Sequence, residues 1–390
     1  MLHDIPRSVY IHIPFCSHKC HYCDFTAYVV GGQPVDDYLD ALEREMAHTT
    51  AEIPPQEIET IFIGGGTPTI LTPAQMERLL ESIQRFFPRW TADLEFTVEA
   101  NPGTTDADKL TVMIAGGVNR LSFGAQTFRP DLLAEIGRVH SVADIGRSVD
   151  QARAAGIDNL SLDLMFGLPK QTPADMEEAI RQGLALSPDH FSVYSLKVEE
   201  GTLFHTKLLQ GRLPLPSEDD ELAMYQLTRA RLSAAGYVQY EVSNFARRGF
   251  ESRHNSTYWK NHPYYGFGAG AHGYAGGIRH MNVKGVGDYI RRSRTGRPTV
   301  ETLEVPFHEA MENEMILGLR LAEGVGKMPF YRRFGYRLED VFGPVLEKLE
   351  QQGMLVREEE RWRLTDKGLL FGNEVFASFL GEARIDGVCR

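Results

Sequence analysis

Six short runs rich in β-branched and aromatic residues punctuate the first half of the chain, at 9–13 (VYIHI), 60–63 (TIFI), 94–99 (LEFTVE), 120–124 (RLSFG), 160–165 (LSLDLM) and 191–196 (FSVYSL). Between them lie helically patterned stretches at 35–47, 73–87, 106–115, 141–155 and 173–186. Thr72 precedes Pro73 and Thr172 precedes Pro173, a cap residue followed by proline in the first helical position. Gly116-Gly117 and Gly156 mark helix ends, where glycine takes the left-handed turn most easily. Strands and helices in regular alternation predict an α/β fold with a parallel sheet and right-handed crossovers, either open or curled into a partial barrel.

The pattern changes near Ser217. A helix is predicted over 218–235, ending at Gly236, and is followed by an aromatic, glycine-rich stretch from Tyr258 to Tyr274. After Pro306, helices are predicted over 309–321 and 338–351. A turn at Gly353 then leads to two strand-like pieces, 354–357 and 361–364, a winged-helix-like order. These shifts divide the chain into 1–235, 236–305 and 306–390. Arg357-Glu358-Glu359-Glu360-Arg361 places three acids in the expected wing, which favours a packing or protein-contact module over a DNA reader.

A length of 390 residues suits one large domain plus a smaller one, and a hydrophobic fraction of 42% is ordinary for a globular protein. The net charge of −12 disfavours nucleic acid as a partner. Four cysteines, no apolar run of bilayer length and no targeting signal point to the cytoplasm. Arg291-Arg292-Ser293-Arg294 and Arg297 form the one clear basic run. It reads as a solvated loop, and also suits acidic side chains of a ligand or an anionic membrane surface in peripheral contact.

In a parallel α/β sheet, ligands gather at the carboxyl ends of the strands. The first strand leads into Cys16, Cys20 and Cys23, spaced C-x3-C-x2-C. The second ends in Gly64-Gly65-Gly66-Thr67-Pro68, the third in Glu99-Ala100-Asn101-Pro102 and the fourth in Gly124-Ala125-Gln126. The fifth carries Asp163 ahead of Phe166-Gly167-Leu168-Pro169. Three clustered cysteines cannot pair off as disulfides. A c-type haem attachment needs histidine after the last cysteine, where Asp24 stands. A Cys3His zinc site using His18 or His21 is the remaining bland reading, but no second paired unit follows. Iron–sulfur cubanes take four thiolates, so three would leave one iron open to a ligand other than protein. Cys389 reads as a bystander near the C-terminus.

The triplet after the first strand, with a glycine-rich end to the second, resembles the radical S-adenosylmethionine superfamily. The longer strings Tyr10-Ile-His-Ile-Pro-Phe-Cys16, Gly64-Gly-Gly-Thr-Pro-Thr69 and Gly167-Leu-Pro-Lys-Gln171 resemble its branch containing the oxygen-independent coproporphyrinogen III dehydrogenase and the HemW-type haem chaperones. The resemblance runs from about Val9 into the C-terminal domain. It implies a partial (β/α)6 barrel, a [4Fe-4S] cluster on Cys16, Cys20 and Cys23, and S-adenosylmethionine on the fourth iron. Reduction of such a cluster can cleave the sulfonium to a 5′-deoxyadenosyl radical, chemistry that belongs to the cofactor. By position, Tyr10, Gly66 and Glu99 match contacts of the cluster-bound cofactor. Tyr22, Thr67, Pro68, Gln126, Arg138, Asp163 and Lys197 match positions around a second S-adenosylmethionine, Lys197 standing where the dehydrogenase has a small residue. The glycines would let the backbone approach the methionine end closely.

Two departures separate the branches. The dehydrogenase motif extends to a fourth cysteine, where Phe25 stands here. It also carries a longer N-terminal extension, whereas the strand pattern here begins near Ser8. His254-Asn255-Ser256-Thr257-Tyr258-Trp259 resembles the H-N-x-x-Y-W string associated with haem in the chaperones. A lone histidine in a polar loop is ordinarily a hydrogen-bonded loop residue, and His272 is read that way. The resemblance makes His254 the candidate axial ligand, with Tyr258 and Trp259 packing on the porphyrin. Taken together, these features imply a protein that binds haem and delivers it to acceptor proteins, served by an electron donor and open to homodimerisation. Whether S-adenosylmethionine is turned over is left open. Anaerobic oxidation of coproporphyrinogen III is the alternative, and a zinc-bound interaction protein the third class.

Overall fold

The computed structural model describes residues 5–383, so Cys389 lies outside the described residues. All six expected strands form: Ser8–Ile13, Ile58–Gly65, Trp90–Ala100, Arg120–Gln126, Asn159–Phe166 and His190–Ser195. They pair parallel, each with the next in sequence. The helices between them, Val35–Glu52, Pro73–Phe86, Ala107–Ala115, Val142–Ala155 and Pro173–Ala185, cover the outer face of this α/β partial (β/α)6 barrel.

Strand alternation explains the layering, because successive side chains point to opposite faces. Ile61, Ile63, Phe96, Val98, Leu121, Phe123, Leu160 and Leu162 are buried in the core under the helices. Their neighbours, among them Tyr10, Glu99, Arg120, Ser122, Asp163, His190 and Ser192, line the space inside the barrel. The inner face is therefore polar and charged, an arrangement that burial alone would disfavour and that suits polar cargo.

Helix starts follow the caps expected. Thr72 Oγ1 accepts from Gln75 N while the Gln75 side chain accepts from Thr72 N, closing a capping box, and Thr172 does the same with Asp175. Replacing Thr72 by alanine is expected to cost about 1 kcal/mol, read as a lowered midpoint in urea unfolding with unchanged slope.

The sheet is larger than the pattern predicts, with nine strands. Tyr265–Phe267 pairs parallel with the first strand, and Asn244–Ala246 pairs antiparallel with the sixth and carries Val238–Gln239 at the far edge. Strands of two or three residues leave no periodic signature to read. The segment expected as an extension, 236–305, divides its buried residues between two cores. Tyr237, Phe245, Tyr265, Phe267 and Tyr289 pack in the barrel core, while Tyr274 and Val305 join the C-terminal core. That second core is built by helices Phe307–Gly318, Lys327–Phe334 and Leu338–Gln351 with the hairpin Leu355–Arg357/Arg361–Leu364. Val325–Gly326 completes a three-stranded wing sheet. No helix among the described residues is long and apolar enough to cross a membrane.

Candidate functional site

The loop carrying the cysteines is anchored at several points over the carboxyl end of the barrel. Tyr28 N donates to Pro14 O and Val30 N to Cys16 O, at 2.8 and 2.9 Å. His21 N donates to Ile136 O, His21 Nδ1 donates to Glu135 O, and Phe204 N donates to His21 O. His12 reaches up from the first strand: its Nε2 donates to Thr26 O at 2.7 Å, which leaves Nδ1 to accept from Tyr10 Oη at 2.9 Å. A carbonyl can only accept, so this pair of bonds fixes the His12 tautomer.

Cys16, Cys20 and Cys23 are half-buried free thiols that all line one cavity, together with Tyr22, Gly66, Thr67, Glu99, Asn101, Gln126, Arg138 and Asp163. Thr67 Oγ1 lies 3.6 Å from Cys16 Sγ and Arg138 Nη1 lies 3.7 Å from Cys20 Sγ. Asn101 joins the two donors, accepting from Arg138 at 2.9 Å and donating to Thr67 at 2.8 Å. Asn101 is absent from the residues picked out by sequence, although the string Glu99-Ala-Asn101-Pro at a strand end carried the signal. Burial pushes the Cys16 thiol up and the Cys23 thiol up to about 11. A bound metal would reverse that by holding thiolates.

The donor set fits a cluster better than a single ion. Around one tetrahedral zinc, thiolates at about 2.3 Å from the metal sit within about 4 Å of one another. Among the described residues no group of three His, Cys, Asp or Glu side chains is arranged to hold one metal ion. In a cubane each thiolate takes a different iron, so the three stand farther apart around a shared rim. Glu99 supplies a second test. Its Oε2 accepts from Gly65 N at 3.0 Å, and burial, with the Asp163 carboxylate nearby, pushes its carboxyl up to about 7. A cavity-facing carboxylate so poorly compensated matches a ligand that brings a cation, as an amino group does.

Gly65 and Gly66 of the glycine triplet line the cysteine cavity, and all three glycines are also packed closely against protein. A Cβ on Gly64 would lie 2.7 Å from Glu99 Oε2, one on Gly65 2.3 Å from the His12 ring, and one on Gly66 2.6 Å from Phe15 O. Gly65 also has φ +107°, in the left-handed region. The missing side chains make room for protein, seating the ribbon against Glu99, His12 and the root of the cysteine loop.

Other expected residues fall as follows. Tyr10 lines the adjoining space inside the barrel, which shares Glu99, Ser122 and Asp163 with the cysteine cavity. Asp163 accepts from Ser122 Oγ at 3.0 Å. Gln126 closes the fourth strand at φ 64°, where the pairing with the fifth strand shifts register. Pro68 is buried at the start of a 3-10 turn, and Lys197 is exposed beyond the sixth strand; neither lines the cysteine cavity. Phe25 lines it while remaining 64% exposed.

His254 departs most from expectation. The H-N-x-x-Y-W string is no loop: it forms the helix Arg253–Trp259, which plugs the amino end of the barrel. The Glu95 carboxylate receives the first helical amides, Arg253 N and His254 N, both at 2.9 Å, a favourable charge for a helix start. His254 is fully buried; Nδ1 bonds Thr60 Oγ1 and Nε2 bonds Tyr258 Oη, both at 2.8 Å. Burial and the Arg120 guanidinium push it down to about 3, so the ring is neutral near pH 7. His272 lies exposed on the strand His272–Ala275. The basic run is partly spent within the chain, Arg291 pairing with Asp288 and Arg297 with Glu52.

Comparison with known proteins agrees with this geometry. The Radical SAM superfamily model matches residues 10–183 and the HemN C-terminal domain model matches 305–371. Heme chaperone HemW of Bacillus subtilis is 49% identical over 377 residues, spanning 96% of this chain and 100% of that protein. Heme chaperone HemW of Escherichia coli is 37% identical, spanning 97% and 99%. Among solved structures, the coproporphyrinogen III oxidase HemN of Escherichia coli, a radical SAM enzyme, superposes with a TM-score of 0.84 at 26% identity, covering 96% of this chain and 90% of that one. With a relative this similar from end to end, and with three free thiols on the loop where the superfamily carries its cluster, the chain belongs to the HemW family of the radical SAM superfamily.

Proposed function

We propose that this protein binds haem and hands it to acceptor proteins, using a [4Fe-4S] cluster and S-adenosylmethionine as resident groups. The observation that carries the reading is the end-to-end similarity to proteins named heme chaperone HemW. Phe25 supports it, since the catalytic branch has a thiol there. Cys16, Cys20 and Cys23 would hold the cluster, with Thr67 and Arg138 donating to sulfur and Glu99 receiving the amino group of S-adenosylmethionine. When bound, these groups supply one-electron chemistry at a sulfonium. Residues of the chain position them and limit water; Arg138 also holds Gly124 O at 2.7 Å, which fixes the cavity wall. An electron donor and the acceptor proteins complete the reading, and the exposed Arg292 and Arg294 suit a transient anionic contact.

His254 is the axial ligand in this reading. Its ring is already neutral and oriented through Nδ1, the second contact that metal-binding histidines commonly make. Iron would reach Nε2 in place of the Tyr258 hydroxyl.

The test is haemin titration after anaerobic reconstitution, with wild type and His254→Ala in parallel. Wild type is expected to give a stoichiometric shift of the Soret band that the variant lacks. Because the substitution strands Thr60 and Tyr258, it is also expected to cost about 1–3 kcal/mol, so unfolding midpoints are measured alongside. Wild type that binds no haemin sinks the reading. Conversion of coproporphyrinogen III to a decarboxylated product would replace it with the HemN-type alternative, to which the shared fold lends its support.

A further inference from the structure

The space inside the barrel measures about 540 Å³ and is lined by inward-facing side chains of the strands. It adjoins the cysteine cavity, with which it shares Glu99, Ser122 and Asp163. Arg120 stands in its wall near the amino end of the fourth barrel strand. Leu121 and Phe123 of that strand go to the core under the helices, so the pleat aims Arg120 and Ser122 inward. Only 2% of Arg120 is exposed.

This cation is poorly compensated by its own chain. Among the described residues no carboxylate forms an ion pair with it, and its one hydrogen bond runs from Nη1 to Thr97 Oγ1 at a long 3.5 Å. Arg120 Nε is buried with no partner. Acids of the same sheet face are committed elsewhere: Glu95 receives the first amides of the plug helix, and Asp163 accepts from Ser122 and Ser192. The neighbouring rings are committed too. His190 Nδ1 bonds Ser161 Oγ and Nε2 bonds Tyr240 Oη, both at 2.8 Å, and both nitrogens of His254 are likewise taken. Burial first, and the Arg120 guanidinium second, hold both imidazoles well below their usual value, so neither ring competes for an anion as a cation. Arginine is almost never buried unless paired, because an uncompensated charge away from water is costly. A guanidinium held this way against a cavity is set to receive an anion from outside the chain.

We propose that Arg120 anchors a carboxylate-binding site inside the barrel, and that its ligand is a small monocarboxylate reaching it from the side of the cysteine cavity. The guanidinium is a planar fork that stays charged, and a carboxylate accepts from two of its N–H groups at once. Charge sets the class of ligand. Glu99 and Asp163 stand where the two spaces meet, and two acids there disfavour a second negative charge on whatever passes between them. Tyr10 and Phe62, with rings stacked at 6.2 Å, give the wall an aromatic face for a short apolar chain. The site goes beyond the haem-binding reading and stands or falls without it.

The probe is 4,4,4-trifluorobutyrate, followed by fluorine NMR in the anaerobically reconstituted full-length protein, with 4,4,4-trifluorobutyramide as the uncharged control. Wild type, Arg120→Met and Arg120→Lys are titrated in parallel, and each is melted without ligand. Wild type is expected to bind the carboxylate at least tenfold more tightly than the amide. Arg120→Met should lose that preference, and Arg120→Lys should keep part of it, since an ammonium retains the charge without the fork. Ligand-free Arg120→Met should melt no lower than wild type, because it removes a buried charge that lacks an ion partner. A merely structural arginine would behave oppositely: Arg120→Met that melts well below wild type or fails to fold would overturn the proposal. Wild type that binds carboxylate and amide alike, or neither, would also overturn it, and so would Arg120→Met that binds the carboxylate as wild type does.

Discussion

Cys20→Ala is expected to emerge from anaerobic reconstitution with little or no iron and sulfide, while Phe25→Ala retains the wild-type complement. The contrast follows from what each side chain does at the same cavity. Cys20 is one of three thiols on a loop tied down at Pro14, Thr26, Glu135 and Ile136, and it faces the Arg138 guanidinium. Two remaining thiolates cannot hold a cubane in place against exchange with solvent thiol. Phe25 is largely exposed and contributes a ring to the cavity mouth, so its truncation removes little packing. Elemental analysis for iron and acid-labile sulfide reads the outcome. Equal iron in both variants would mean that the cluster does not depend on the triplet.

Much of this was legible because the chemistry sits at strand ends. The β-branched runs located all six barrel strands, and the residues following each strand named most of the cavity: Cys16, Cys20, Cys23, Gly66, Thr67, Glu99, Gln126 and Asp163. Helix ends were readable from Thr72 and Thr172, whose caps act within four residues. What was missed depends on contacts far along the chain. The plug helix is too short to show amphipathic periodicity; Ser252 caps it locally, but the charge that holds its first amides comes from Glu95, about 160 residues earlier. The strand Tyr265–Phe267 reads as a glycine-rich loop until it meets the first strand. Gly64–Gly66 announced a close approach, but the protein groups that crowd the triplet, Glu99, His12 and Phe15, come from other segments that a sequence does not place beside it. One available signal went unused: within the barrel runs, polar residues such as Arg120, Ser122 and Asp163 alternate with apolar ones, which marks a polar lumen.

Glu45→Ala is expected to lower stability by roughly 3–5 kcal/mol in urea unfolding. Glu45 lies fully buried on the helix Val35–Glu52 and accepts from Gly268 N at 2.9 Å, Asn282 Nδ2 at 2.6 Å and Tyr289 Oη at 2.5 Å. Removing it strands three donors at about 1–3 kcal/mol each, with some relief because they share one site. The same residue sets a pH dependence. Burial pushes its carboxyl from the ordinary 4.5 up to about 7, against the lowering effect of those three donors. The folded state therefore holds a proton that the unfolded chain releases, and stability falls as pH rises from about 4.5 to about 7, by roughly 3 kcal/mol from this group. Glu99 shifts in the same direction, so Glu45→Gln should flatten the slope of the cofactor-free protein without abolishing it. An unchanged slope in Glu45→Gln would show that Glu45 is ionised throughout.

The parallel strand Tyr265–Phe267 bears on how the protein is made. The first strand, which leads directly into the cysteine loop, gains this neighbour only when residues some 256 positions later have left the ribosome. At about 5–20 residues per second, one edge of that strand stays unpaired for roughly 13–50 s of synthesis. An unpaired edge is a template for pairing with the wrong chain. The thiols meanwhile stand on a loop whose barrel floor is still missing, since the plug helix arrives at almost the same moment. Completion of the barrel beneath the cysteine loop is therefore a late event in the life of the nascent chain, set by the delivery of two short elements from the second half of the sequence.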